Sequence, residues 1–176
     1  MSVPTIAELL FWTFAGLAVL GGLMAVTRRS PLNSALWLVL TLFAIAALFV
    51  MLDAQFLGIL QILVYAGAIM VLFLFVIMLL NLGRGAPLDM KGGMGKLVAT
   101  LLAGGLALQL VAVAQAGPPD AIRLPPGSME ALQRQEGFVA VVGKSLYGDY
   151  LVPFEITSLL LLAAIVGAVV LAKRKL

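Results

Sequence analysis

The chain has 176 residues, 63% of them hydrophobic and 11% charged, with a net charge of +3. A soluble domain carries about a quarter charged residues, so this composition excludes a water-soluble fold, which would lack the polar surface to cover its core. Cysteine and histidine are absent. That excludes disulfides and thiolate metal sites, and it removes the usual proton shuttle, metal ligand and catalytic base. Proton chemistry must therefore run through carboxylates, tyrosine, lysine or water, and a self-contained enzyme does not fit the inventory. No basic patch is interleaved with aromatics, so nucleic acid is not an expected partner.

Five apolar spans follow in chain order. The first covers about Leu9–Val26 and stops at Arg28-Arg29. Met1–Leu10 holds Glu8 as its one charge, so it lacks the positive leader of a signal peptide and reads as a retained helix. The second span covers about Leu32–Leu52, with Pro31 suited to its first turn because no N–H is needed there. The third, Phe56–Leu80 and extendable to Leu82, has twenty-five positions without a charge. About 20 apolar residues suffice to cross a bilayer. Only Asp53-Ala54-Gln55 joins spans two and three, which makes them antiparallel neighbours. A Gly- and Lys-rich link, Asn81–Lys96, leads to the fourth span at about Leu97–Ala114. The stretch Ala116–Asp149, with its Gly-Pro-Pro and Leu-Pro-Pro-Gly turns, reads as a long irregular outer loop with a short helix at Ser128–Gln135. The fifth span, about Tyr150–Ala172, is closed by Lys173-Arg174-Lys175. The expected fold is all-α: a polytopic membrane protein with five transmembrane helices in a single membrane domain over residues 1–176.

Basic residues set the expected orientation. Arg28, Arg29, Arg84, Lys91, Lys96, Lys173, Arg174 and Lys175 fall on one side, eight of the eleven in the chain. The positive-inside tendency makes that side cytoplasmic, with the N-terminus outside and the C-terminus inside.

Four residues stand out as candidates for function. Gln61 and Tyr65 are four apart on span three and share a helix face, with Gly58 near the same face and Gly67 two positions beyond Tyr65. Polar groups inside a membrane helix are costly and face a protein interior or a water path. Two readings are open: a seam that holds water or passes protons, and a helix–helix contact in which Gln or Tyr bonds across. Glycine in mid-helix weakens the local hydrogen-bond ladder, which predicts a π-bulge or kink here. Glu155 follows Pro153 closely. It reads either as a first-turn carboxylate favoured by the helix dipole or as a protonatable group at the outer membrane edge. Asp53 and Glu8 read as solvated residues at the outer ends of helices. Small residues at Gly21-Gly22, Gly104-Gly105, and Ala163 with Gly167 mark close-packing stripes.

The run Leu63-Val64-Tyr65-Ala66-Gly67-Ala68-Ile69-Met70-Val71-Leu72-Phe73 resembles the signature of the J chain, or mitochondrial subunit 6, of proton-pumping NADH–quinone oxidoreductase (respiratory complex I). Leu79-Leu80-Asn81-Leu82, Asn33-Ser34-Ala35-Leu36 and the stretch from Tyr150 to Leu162 resemble the same family, in the same order. The resemblance implies a core subunit of the membrane arm in a bacterial inner membrane. It implies partners in the small K chain, the quinone-site chain, the antiporter-like chains and the lipid bilayer. It also implies no cofactor in this chain, with flavin, iron–sulfur clusters and quinone in partner subunits. On that resemblance a π-bulge near Tyr65–Gly67 interconverts with α-helix and gates a water path, with Tyr65 lining it and Gly67 giving backbone freedom. Gln61 and Glu155 would belong to the proton path. Three rivals stand beside it: a purely structural assembly subunit, the homologous subunit of a ferredoxin-dependent or cation/proton antiporter complex, and an independent small transporter, which would need a midplane substrate site.

Overall fold

The computed structural model describes residues 5–80, 93–116, 131 and 134–173. Every regular element among them is helical. In order these are α1 (Ile6–Thr27), α2 (Pro31–Met51), α3 (Gln55–Leu60), a π-helical segment (Gln61–Ile69), α4 (Met70–Leu79), α5 (Gly93–Ala116), α6 (Phe138–Tyr147) and α7 (Leu151–Ala172). The third, fourth and fifth of these form one 25-residue helix, Gln55–Leu79. Five helices are thus long and apolar enough to cross a membrane, and they fall on the five hydropathic spans. The Asn81–Lys96 link up to residue 92, the proline turns and most of Ser128–Gln135 lie outside the described residues.

Two compact units make up the chain, residues 1–125 and 126–176. In the first, α1 packs on α2, and α2 packs along the whole of the Gln55–Leu79 helix. The buried residues are small ones: Gly21 and Ala25 on α1, Ala35, Thr41, Ala44 and Ala46 on α2, Gly58 on α3 and Ala66 in the π segment, with Met70 the one large side chain. Lipid tails are as apolar as leucine, so burying leucine gains nothing over lipid, and close backbone approach holds membrane helices together instead. Gly21 illustrates this, since a Cβ there would lie 2.5 Å from Thr41 Oγ1. Ser34 Oγ donates to the Ala25 carbonyl across the same pair of helices. Gly22, Gly104, Gly105 and Gly167 face open space, so the stripes expected from the last three do not pack on described residues of this chain. Over Leu97–Ala116 helix α5 has no buried residue.

The helix ends explain two acidic residues. Thr5 and Glu8 form a capping box: Thr5 Oγ1 accepts from the Glu8 N–H at 3.4 Å, and Glu8 Oε2 accepts from the Thr5 N–H at 2.9 Å. Asp53 has φ 58°, the left-handed conformation. The Ala54 N–H reaches back to Phe49 O at 2.9 Å and the Asp53 N–H to Val50 O at 3.2 Å. This is a Schellman closure of α2, with aspartate in the place glycine usually takes. Asp53→Val is expected to destabilise the α2–α3 hairpin by ~1–2 kcal/mol, because a β-branched side chain resists this conformation. A midpoint of thermal unfolding in detergent that falls further for Asp53→Val than for Asp53→Gly checks it.

The second unit corrects the picture of an irregular loop. Within Ala116–Asp149, residues Phe138–Tyr147 form α6, between Gly137 and Gly148. At ~1.5 Å per residue its length is about half of what a bilayer needs. It docks on α7 through an edge-on contact of Tyr147 with Phe154, ring centroids 5.2 Å apart. Lys144 and Glu136 pair at 2.6 Å on its exposed side. Helix α7 has no buried residue, so apart from the contact with α6 at Phe154 most of its surface is exposed.

Candidate functional site

The backbone register marks the site. Where α3 ends, the Gln61 N–H bonds to Leu57 O, four residues back. Where the π segment ends, the Met70 N–H bonds to Tyr65 O, five residues back. By Leu80 the spacing has returned to four, with the N–H on Val76 O at 2.9 Å. An extra residue is therefore accommodated between Gln61 and Ile69, where the sequence places a bulge. Such a segment is less favourable than α-helix and occurs mostly at functional sites.

The sequence explains why the widening falls here. Ala66, Gly67 and Ala68 offer little side chain, and Ala66 and Met70 bury against the first unit's helices at 5% and 6% exposure. Gly67 has a specific reason to be glycine. A Cβ on it would lie 3.2 Å from Ile62 O, the carbonyl five residues back, so the π turn itself crowds the position.

The segment brings together three of the four candidate residues, Gln61, Tyr65 and Gly67. Gln61 is half-buried, and Tyr65 is 53% exposed. Among the described residues neither side chain has a hydrogen-bond partner. The contact reading of these two residues therefore has no acceptor or donor within this chain's described helices. An amide and a phenol left bare in hydrocarbon are costly, so each needs water or another subunit.

Glu155 lies on α7, in the other unit. It is exposed and occupies the fifth position of the helix, beyond the first turn, which holds no acidic residue. The first-turn reading is thus corrected. Helix α7 begins at Leu151 because Pro153 fits as its third residue, where no intrahelical N–H bond is required. Gln55 escaped the sequence reading. Its Oε1, at the start of α3, is buried without a hydrogen-bond partner among the described residues, and a buried amide oxygen calls for a water or a donor. Among the described residues no group of three or more acidic side chains is placed to hold a metal ion.

Comparison with known proteins places the chain in a family. Residues 21–171 match the family described as NADH-ubiquinone/plastoquinone oxidoreductase chain 6. NADH-quinone oxidoreductase subunit J of Pseudomonas aeruginosa is 42% identical over 92% of this chain and 93% of its own length. Subunit J of Rhodobacter capsulatus is 36% identical over 97% of this chain and 83% of its own. NADH-quinone oxidoreductase subunit 10 of Thermus thermophilus is 40% identical, covering 89% and 84%. The match takes in α2, the π segment and nearly all of α7, and the chain belongs to the NADH-ubiquinone/plastoquinone oxidoreductase chain 6 family, as a membrane subunit of an NADH–quinone oxidoreductase.

Proposed function

We propose that this chain couples quinone reduction to proton movement, by letting the Gln61–Ile69 segment switch between π and α register and so open or close a water path. The observation that carries this is the five-residue backbone spacing around Tyr65 and Gly67 in a membrane-crossing helix where Gln61 and Tyr65 have no side-chain partner among the described residues. Removing one residue from the turn rotates the helix beyond it by about 100° relative to the part before it. That is enough to swing the Tyr65 phenol into or out of a hydrated axis.

In this reading the chain holds no cofactor and carries out no redox step; flavin, iron–sulfur and quinone chemistry reside in other subunits. Its N-terminus lies outside and its C-terminus in the cytoplasm of a bacterial inner membrane. Gln61 and Tyr65 face the small K chain or the water between the two chains. Glu155 adds a carboxylate near the outer edge. The exposed circumferences of α5 and α7 favour a second role as assembly surfaces for the quinone-site chain or the antiporter-like chains.

Affinity purification of the tagged chain in mild detergent, with mass spectrometry and NADH–quinone activity, tests the reading. The expected result is co-purification with a large assembly that oxidises NADH and reduces quinone. An assembly without NADH activity would move the chain to a ferredoxin-dependent or antiporter relative, and a lone protein would overturn the subunit reading.

A further inference from the structure

The turn between α1 and α2 and the cleft beside it form an amphipathic surface that the water path does not use. Arg28 and Arg29 are exposed there, and among the described residues no carboxylate pairs with either. Arg28 is held in place: its guanidinium lies over the Trp37 ring, 5.8 Å from the centroid, and its Nη2 is 3.6 Å from Met24 Sδ. Trp37 and Asn33 line a shallow, partly polar groove on α2 together with Leu36 and Leu40. Leu36 also borders a second groove, of about 230 Å³, between α2 and α4. That one is apolar throughout, lined by Leu32, Leu36, Val71, Leu74, Phe75 and Met78. Gly58 lies opposite Ala46 and Val50, so the antiparallel register carries Met78 to the level of the Arg28–Arg29 turn. The two grooves share Leu36, and Arg28, through its contact with Trp37, stands beside the first of them.

We propose that this surface binds an anionic glycerophospholipid, one acyl chain in the α2–α4 groove and the phosphate at Arg28 and Arg29. Charge complementarity selects this occupant. Two adjacent exposed cations, unpaired with any carboxylate among the described residues and at the end of a membrane-crossing helix, attract an anionic headgroup. Ser30 leaves the N-terminus of α2 without a side-chain cap, which adds positive potential at the same level. The groove alone selects nothing, since a lipid tail gains little by leaving other lipid tails. Preference must come from the headgroup, at about fivefold per arginine near an anionic lipid.

The test uses the full chain in lipid nanodiscs. A Trp12→Phe substitution leaves Trp37 as the one indole of the original two. Quenching of its fluorescence is compared for dibrominated phosphatidylglycerol and dibrominated phosphatidylcholine at equal mole fraction. Phosphatidylglycerol is expected to quench at least about fivefold more efficiently, with parity in the Arg28→Gln/Arg29→Gln protein. Val71→Phe, which fills the groove and keeps both arginines, is expected to remove the preference too. Equal quenching by the two lipids would overturn the site. A preference that survives Val71→Phe would reduce it to plain charge attraction and overturn it as well. In the assembled complex, benzoylphenylalanine in place of Phe75 is expected to form a phospholipid adduct on this chain; cross-linking to another subunit would show that protein fills the groove instead.

Discussion

Gly67→Val is expected to lower proton-coupled NADH–quinone turnover by roughly five- to 150-fold while leaving the complex assembled. The argument starts from the 3.2 Å between a Cβ at this position and Ile62 O. Valine adds two methyl groups beyond that Cβ and has few rotamers with which to avoid the carbonyl. Overpacking of this kind costs about 1–3 kcal/mol. The cost falls on the π register, because it is the five-residue spacing that brings Ile62 O against residue 67. A helix that alternates between two registers would then be held in one of them, and a bias of this size shifts a two-state equilibrium by roughly five- to 150-fold. Tyr65→Phe is the companion measurement. The Tyr65 hydroxyl has no partner among the described residues, so its removal keeps the packing and is expected to change turnover by less than about twofold, within the range of a neutral surface change. NADH oxidation by a soluble acceptor reports how much complex has formed, and proton uptake into vesicles reports coupling. Normal coupled turnover in an assembled Gly67→Val complex would remove the gate. Loss of turnover in step with loss of complex would favour a purely structural subunit.

The membrane-crossing helices were legible because each is a long apolar run broken by charge or proline. No competing structure satisfies the backbone in lipid over such a length. The π segment was legible for a different reason. Gln61, Tyr65 and Gly67 each weaken or burden a helix in hydrocarbon, and three such residues within seven positions of an uncharged span mark a departure from α geometry. What the sequence does not display is the use of each polar group. Glu8 and Asp53 are both acidic residues at helix ends, yet one completes a capping box and the other takes a left-handed turn. The box had a signal, Thr5 and Glu8 three apart before an apolar run. The tight turn was legible in the three-residue link, but its left-handed residue was not, since aspartate stands where the motif asks for glycine. Helix α6 was hidden by its neighbours. The proline-rich stretch before it suggests irregular chain, and a ten-residue apolar run is too short to read as a span. The position of Glu155 depended on where α7 begins, and helix starts are the least legible feature when a proline can occupy any of the first three or four positions.

Gly58→Leu is expected to prevent assembly, and so to lower NADH oxidation by a soluble acceptor and NADH–quinone turnover together. A Cβ at this position would stand 2.9 Å from Val50 Cγ2 and 3.0 Å from Ala46 O. The valine methyl can turn aside; the carbonyl belongs to the α2 backbone and cannot. The remaining escape is to move α3 off α2, and α3 is continuous with the π segment. Ala66 and Met70 are buried in the same unit, so displacement at Gly58 passes along the helix to Tyr65 and Gly67. Overpacking alone costs about 1–3 kcal/mol, and in lipid the added leucine recovers little by burial. Gly22→Leu is the matched control, since a Cβ there meets nothing within 4 Å among the described residues. The two substitutions add equal apolar volume to the first unit. Their outcomes differ only if close backbone approach, rather than apolar content, holds the α2–α3 pair together. Wild-type amounts of assembled complex with Gly58→Leu would show that the pair separates without consequence, and the register of the π segment would then have to be set by a neighbouring subunit.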